Sequence, residues 1–208
     1  MKVSTSLLIV LISSVLSFLP EVIVPDCHCE QLEEGLVLHC THLHSTRYLS
    51  HIRPLSASEV LSIQISASLI ECLETRHFVR FSRLKTITVT NSMMRHVFCD
   101  SSNVELLADV EHLNFTNNRI TQLGQDISGL VNLKSLDLSD NLLSESLEAG
   151  EFSSLPSSLT RLVMTQNIFS CVPALTWLDS WARHNSHLRD SLSEVYCRCC
   201  VLYCTVLY

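Results

Sequence analysis

Five segments of the chain share one spacing of apolar residues, at relative positions 1, 4, 6 and 11. The segments begin at residues 60, 84, 110, 133 and 159, so the steps between them are 24, 26, 23 and 26 residues. Position 9 is small and polar in every copy, as Ser68, Ser92, Asn118, Asn141 and Asn167. A repeat of this length is typical of solenoids, in which each unit buries its apolar face only against its neighbours.

The spacing within each copy predicts one short strand and one turn. Positions 4 and 6 alternate with polar residues, which is the period of a half-buried strand. Stacked copies would then form a parallel sheet over a continuous core. Position 9 falls where the chain turns out of the strand, and an Asn amide there can satisfy backbone groups of adjacent turns. Ser does this less completely, so we expect the first two repeats to be less regular.

The segments VEHLNFTNNRITQL, LKSLDLSDNLLSE and LTRLVMTQNIF resemble the leucine-rich repeat family. The resemblance covers roughly residues 60–170 and is strongest in the last three copies. It implies an α/β solenoid with a short parallel β-sheet on the concave face and an irregular or short-helical convex side. It also implies cysteine-rich caps at both ends, of the kind found in extracellular members such as Toll-like receptor ectodomains and adhesion proteins.

The N-terminus indicates the secretory route. Lys2 precedes an apolar run over residues 7–16, and small residues follow, which predicts a signal peptide over residues 1–17. The run is short for a membrane span, which needs about 20 apolar residues, although an uncleaved anchor is the alternative. Secretion favours disulfides over metal sites as the role of the ten cysteines.

Residues 18–59 resemble the N-terminal cap of the family, with one cysteine missing. The family places a Cys before a Pro, but here Val24 precedes Pro25. The family pattern implies a Cys27–Cys40 bridge, which leaves Cys29 without its usual partner. A bridge that closes so short a loop contributes about 3 kcal/mol.

Residues 171–199 resemble the C-terminal cap, which has also lost one cysteine. The family pattern implies a Cys171–Cys197 bridge and leaves Cys199 in doubt. Trp177 and Trp181 fit one apolar helical face. The remaining residues, 200–208, form an apolar tail with Cys200 and Cys204, and ten residues or fewer cannot span a bilayer.

Cys72 and Cys99 occupy the turn-rich back of two successive repeats. They could form a disulfide, which requires Cα atoms within about 7 Å. They could equally be two buried free thiols that fill core space.

The outward strand positions, 2, 3, 5, 7 and 8, predict a polar concave face with mixed charge and no aromatic anchor. We expect this face to bind a protein, or a glycan, with modest affinity. The candidate contact residues are Lys85, Thr86, Thr88, Glu111, His112, Lys134, Asp137, Asp140 and Arg161. The acceptor sequon Asn114-Phe115-Thr116 lies on the same face, so a glycan there would cover part of it.

Other classes of function find less support in the sequence. A net charge of −7 argues against an electrostatic nucleic-acid binder. The chain carries no catalytic motif, so we expect no enzyme activity and no cofactor. A zinc site remains an alternative, because Cys27, Cys29 and Cys40 lie among five histidines. These are His28, His39, His42, His44 and His51.

Two hypotheses of function follow from the resemblance. The first is a secreted recognition module with a role in innate immunity or cell adhesion. The second is a cell-surface receptor ectodomain that stops before its membrane span and signalling domain, and membrane association is expected only in that case. A secreted zinc-binding protein is the alternative of another class.

Overall fold

The structure is a computed structural model that describes residues 27–51, 57–99, 104–123, 125–144, 155–168 and 183–188. Within these residues, seven strands alternate with short 3-10 helices. The strands are β1 (Cys27–Gln31), β2 (Leu36–Thr41), β3 (Val60–Ser66), β4 (Thr86–Thr90), β5 (His112–Asn114), β6 (Ser135–Asp137) and β7 (Arg161–Val163). The 3-10 helices span Thr46–His51, Thr75–His77, Val104–Leu107, Gln125–Gly129 and Ser186–Leu188.

The described strands form a single sheet in the order β1 to β7. β1 and β2 are antiparallel, and every later pair is parallel. The repeat register is kept throughout, since Ile63, Ile87 and Leu113 at position 4 are successive partners. The predicted solenoid with its parallel sheet is therefore confirmed.

Each of the strands β2 to β7 is followed by a turn whose backbone is left-handed at position 8. The residues with positive φ, between 48° and 57°, are His42, Ala67, Asn91, Asn117, Asp140 and Gln166. This conformation is uncommon outside glycine, and Asn and Asp tolerate it best. Its recurrence at one position of every repeat turns the chain sharply away from the sheet toward the flank of the solenoid.

Apolar positions of successive repeats form one continuous core. Wherever the structure describes them, positions 1, 4, 6 and 11 are almost completely buried, and in the third repeat they are Val110, Leu113, Phe115 and Ile120. Convex residues such as Phe78 and Ile127 close the core from the other side. Each repeat thus buries its apolar face only through its neighbours, as expected for a solenoid.

The convex side carries short 3-10 helices and one disulfide. Cys72 and Cys99 are bonded with a Cα–Cα distance of 5.2 Å. The neighbouring residues Leu73 and Phe98 form an isolated parallel bridge. The bond therefore joins two successive repeats on the side opposite the sheet, where backbone pairing is sparse.

The N-terminal hairpin covers the first edge of the solenoid. Cys27 and Cys40 face each other across β1 and β2 and are bonded, with a Cα–Cα distance of 4.1 Å. β2 is parallel to β3 with a one-residue shift after Leu36, so Leu38 and Cys40 lie beside Ile63 and Ile65. β2 is therefore an incomplete repeat that the fivefold spacing did not predict.

The first two repeats carry Ser at position 9 and have longer strands than the later repeats. Ser68 and Ser92 make fewer hydrogen bonds than the Asn residues, yet β3 and β4 have seven and five residues where β5 to β7 have three. The reason is the neighbouring hairpin, because β2 pairs with β3 from Leu36 to Thr41 and extends the ladder. Strand length in these two repeats therefore follows the adjacent strand, while Ser at position 9 makes fewer hydrogen bonds than Asn does.

A short segment, 183–188, packs against the last described repeat. Leu188 is 2% exposed and belongs to the core, while the ring of His187 donates a hydrogen bond to the carbonyl of Leu159 at 3.1 Å. The expected signal peptide (1–17), the Cys171–Cys197 bridge, Trp177 and Trp181, and the tail with Cys199, Cys200 and Cys204 lie outside the described residues. None of the helices in the described part of the chain is long and apolar enough to cross a membrane.

Candidate binding surface

The concave face is built by outward side chains of β3 to β7 and the residues beside them. Because the strands are parallel and in register, equivalent positions of successive repeats form straight rows across the sheet. Positions 2, 3 and 5 hold every candidate contact residue except Asp140, which lies at position 8 in a turn. His112, Lys134, Asp140 and Arg161 are exposed, and Lys85, Thr86, Thr88, Glu111 and Asp137 are half-buried.

An asparagine ladder supports the edge of this face. Asn141 is 4% exposed and makes four hydrogen bonds. Its Nδ2 donates to the carbonyls of Phe115, Leu138 and Ser139, and its Oδ1 accepts from Ile120 N–H at 2.9 Å. The equivalent residues Asn118 and Asn167 repeat this pattern. The ladder ties each turn to the preceding repeat and so fixes the spacing of the strands.

A row of three charges crosses the face at position 2. Lys85 Nζ lies 3.2 Å from Glu111 Oε1, and Lys134 Nζ contacts the other oxygen of the same carboxylate. Hydrogen bonds from Lys134 and then Lys85 hold the pKa of Glu111 below its ordinary value of 4.5. The central carboxylate is therefore ionised and shared between two cations, which orders all three side chains.

We predict that the carboxyl of Glu111 titrates below the usual range and that Lys134→Met raises its pKa. The folded pKa is lowered, so any stability from the pairing is present above the unfolded Glu pKa of about 4.3 and is lost as pH falls through the folded value. Carbon-detected NMR of the side-chain carboxyl against pH measures this directly. A Glu111 titration at the ordinary Glu value, unchanged by Lys134→Met, would contradict the assignment.

In two successive repeats, the side chain at position 5 is hydrogen-bonded to the residue at position 7. Asn114 Oδ1 accepts from the backbone N–H and the hydroxyl of Thr116, at 3.0 and 2.7 Å. Asp137 Oδ1 makes the same two contacts with Ser139, and Asp137 Oδ2 lies 3.8 Å from Arg161. Side chains in the centre of the face are thus held in place before any partner binds, which lowers the entropy cost of association.

The cap cysteines and histidines form a different arrangement from the zinc site considered above. Cys27 and Cys40 are bonded to each other, which removes both from metal ligation. His28 and His39 stack with ring centroids 5.0 Å apart, and His39 donates to Glu30 Oε2 at 3.0 Å. Within the described residues, no group of three or more His, Cys, Asp or Glu side chains is arranged to hold a metal ion.

Cys29 is a half-buried free thiol packed against the core. Burial raises its pKa to about 11 from 9.0, which lowers the thiolate population roughly 100-fold near neutral pH. We predict that iodoacetamide at pH 8 alkylates Cys29 about 100-fold more slowly in the native protein than in urea, since the thiolate is the reactive form. Mass spectrometry of timed samples measures both rates, and equal rates would refute this environment.

Sequence reasoning missed a row of exposed side chains at position 10. Large apolar residues occupy four of its five places, with Arg119 in the fifth. They are Leu69 at 54% exposure, Met93 at 38%, Leu142 at 38% and Ile168 at 43%. The signal was present in the sequence, because position 10 precedes the buried position 11 and must therefore point outward.

Comparisons with known proteins agree with this architecture. The family described as "Leucine rich repeat" matches residues 108–169, which contain the last three repeats. The crystal structure of a TLR13–ssRNA13 complex is similar with a TM-score of 0.51 and 18% identity over 67% of this chain. The match spans only 19% of that chain, and at this identity it shows the fold alone. No curated protein has significant sequence similarity to the chain.

The repeat register and the parallel sheet show a leucine-rich repeat solenoid, and the leucine-rich repeat family model matches residues 108–169 of the chain. Its described residues form a solenoid joined by two disulfides, Cys27–Cys40 at the first edge and Cys72–Cys99 between repeats.

Proposed function

We propose that this chain is a secreted or cell-surface recognition module that binds a protein partner through its concave face. The observation that carries the proposal is the ordered polar surface of β3 to β7, where Glu111 joins Lys85 and Lys134 and Asp137 faces Arg161. Paired charges on a rigid sheet give specificity by matching complementary charges of a partner. Five strands offer the roughly 800 Å² per partner that a standard interface needs.

Two features favour an extracellular location. The described part of the chain contains two disulfides, and disulfides form and persist mainly in oxidising compartments. The N-terminal sequence has the layout of a signal peptide. The alternative within this proposal is that the chain is the ectodomain of a Toll-like or adhesion receptor. Its role would then be in innate immunity or cell adhesion.

The charge of the concave face favours a protein over a nucleic acid. TLR13 was crystallised in complex with an RNA, but the present face balances Lys85, Lys134 and Arg161 against three carboxylates. The chain as a whole has a charge of −7, and nucleic-acid affinity comes mainly from neutralised phosphates. A glycan ligand remains compatible with the many hydroxyls of the face.

We also propose that Asn114 carries an N-linked glycan. Its Oδ1 is engaged by Thr116, whereas the glycan is attached through Nδ2. A glycan on the central strand would restrict partner contacts to the flanking strands. Mass analysis of the Asn114 peptide before and after enzymatic deglycosylation tests this, and an unmodified peptide from secreted protein would refute it.

A binding screen tests the recognition function. The secreted chain is displayed as a tagged multimer against arrays of cell-surface and secreted proteins, and hits are measured again with the double variant Lys134→Glu, Arg161→Glu. We expect at least a tenfold loss of affinity, because the two reversals place carboxylates beside Glu111 and Asp137 and so destroy the charge pattern that a partner would match. Glu105→Lys on the convex helix is the matched control and should leave affinity unchanged. Affinity that survives the double reversal would refute the concave face as the binding site.

A further inference from the structure

The position 10 row and the neighbouring position 12 row form an outward surface along the flank of the solenoid. Backbone bonds hold the rows together, since Arg119 N–H donates to Met94 O at 2.8 Å and Arg95 N–H donates to Glu71 O at 2.8 Å. Position 11 between them is buried, as for Met94 and Ile120. Side chains of positions 10 and 12 therefore project from an extended backbone in two parallel ridges.

Two adjoining cavities lie between these ridges. One, of about 240 Å³, is lined by Leu69, Glu71, Met93, Arg95 and Arg119. The other, of about 380 Å³, is lined by Arg95, His96, Arg119, Thr121 and Leu142. Arg95 and Arg119 are common to both, so the two cavities form one continuous groove with a pair of arginines at its centre. We call this the flank groove.

The central arginines have no acidic partner within the described chain. None of the ion pairs among the described residues includes Arg95 or Arg119, although Glu71 lines one end of the groove. Elsewhere on the described surface, Arg76 and Arg161 pair with carboxylates, and Arg80 and Arg83 donate to backbone carbonyls. Among the described residues, Arg95 and Arg119 are therefore two guanidinium groups without an acidic partner that line the same groove between apolar side chains.

We propose that the flank groove binds an extended acidic and apolar segment of a protein partner. Carboxylates of the segment pair with Arg95 and Arg119, because a guanidinium matches a carboxylate through two parallel hydrogen bonds. Apolar side chains of the segment cover Leu69, Met93 and Leu142, which are 38 to 54% exposed. This surface is distinct from the concave face, so the two can be occupied together.

The dimensions of the groove set the length of the segment. Neighbouring strands of a sheet lie about 4.8 Å apart, so the groove from Leu69 to Leu142 extends about 14 Å. An extended chain rises about 3.3 Å per residue, and roughly four residues therefore span the groove. A nucleic acid fits less well, since the groove offers two guanidinium groups and one imidazole, His96, and its lining has no Phe, Tyr or Trp on which bases could stack.

Selection from a phage-displayed library of random octapeptides tests the proposal with the full secreted chain as bait. We expect enriched peptides to combine Asp or Glu with Leu, Ile, Val or Phe. Their affinity, measured by fluorescence anisotropy, should fall at least tenfold, or about 1.4 kcal/mol, in the double variant Arg95→Gln, Arg119→Gln. Leu142→Ser should weaken the same peptides. Arg76→Gln on the convex side is the control and should leave affinity unchanged.

Three results would overturn the proposal. The first is a selection with no acidic and apolar consensus, or a consensus whose binding is unaffected by Arg95→Gln, Arg119→Gln. The second is self-association of the chain in sedimentation experiments that Leu142→Ser abolishes, because the occupant would then be a second copy. The third is tighter binding of a single-stranded oligouridine than of the selected peptides. Unchanged melting temperatures of the variants, which alter only exposed side chains, exclude misfolding as the cause.

Discussion

Replacement of Asn141 by alanine is expected to lower the free energy of unfolding by about 3–4 kcal/mol. The side chain satisfies three carbonyls and one N–H in a place that is 4% exposed. A buried polar group left without a partner costs about 1–3 kcal/mol, and relaxation of the turn recovers part of the sum. Urea unfolding followed by circular dichroism measures the difference.

The matched control is Asn132→Ala. Asn132 is exposed and donates one hydrogen bond to Ala108 O at 2.9 Å, so we expect a loss below about 1 kcal/mol. Ser92→Ala should be intermediate, since Ser92 bonds only Ser68 N–H and Thr90 O. If Asn141→Ala costs no more than Asn132→Ala, the ladder does not hold the repeats together.

Phe115→Ala is expected to lower the free energy of unfolding by about 3–5 kcal/mol. Phe115 is 0% exposed and fills position 6 of the central repeat. The substitution removes a large buried side chain and leaves a cavity between the sheet and the convex side, and a solenoid core can close such a cavity only partly. The expected loss is larger than that of any surface substitution.

Phe115→Leu is the control that keeps an apolar side chain at this position, so it shows whether the loss in Phe115→Ala comes from the cavity. Other repeats carry an aliphatic side chain at position 6, such as Leu138, so leucine fits the site and we expect a loss of about 1–1.5 kcal/mol. Val131→Ala, at a residue 59% exposed, should change stability by less than about 0.5 kcal/mol. Equal stability of Phe115→Ala and Val131→Ala would place Phe115 outside the core.

The repeats could be predicted from sequence because their information is local and recurs. Strand positions 4 and 6, the buried position 11 and Asn at position 9 all follow from one spacing. β2 escaped prediction because its buried Leu36, the partner of Val60, stands only two residues before Leu38, which breaks the repeat spacing, and because Leu43 stands at position 9. Gly35 is small for a reason, since a Cβ there would lie 2.8 Å from Glu59 O.

The sequence predicted which residues lie on the concave face, but it did not predict which of those side chains form ion pairs with each other. Outward positions follow from the strand period, so Lys85, Glu111 and Lys134 were placed on one face. Their common carboxylate depends on the register of three strands about 24 residues apart, which no local pattern encodes. The Cys72–Cys99 bond and the two-arginine flank groove have the same origin, because both require neighbouring repeats to be stacked.

Peptide mapping of the secreted chain without reduction tests the central claim, a leucine-rich repeat solenoid stabilised by disulfides in an oxidising compartment. The account predicts one peptide pair linked through Cys27 and Cys40 and another through Cys72 and Cys99, with Cys29 a free thiol that is alkylated much more slowly in the native protein than in urea. The second pair is decisive, because Cys72 and Cys99 meet only if two repeats stack in the observed register. Free thiols at Cys72 and Cys99 in secreted, folded protein would contradict the account.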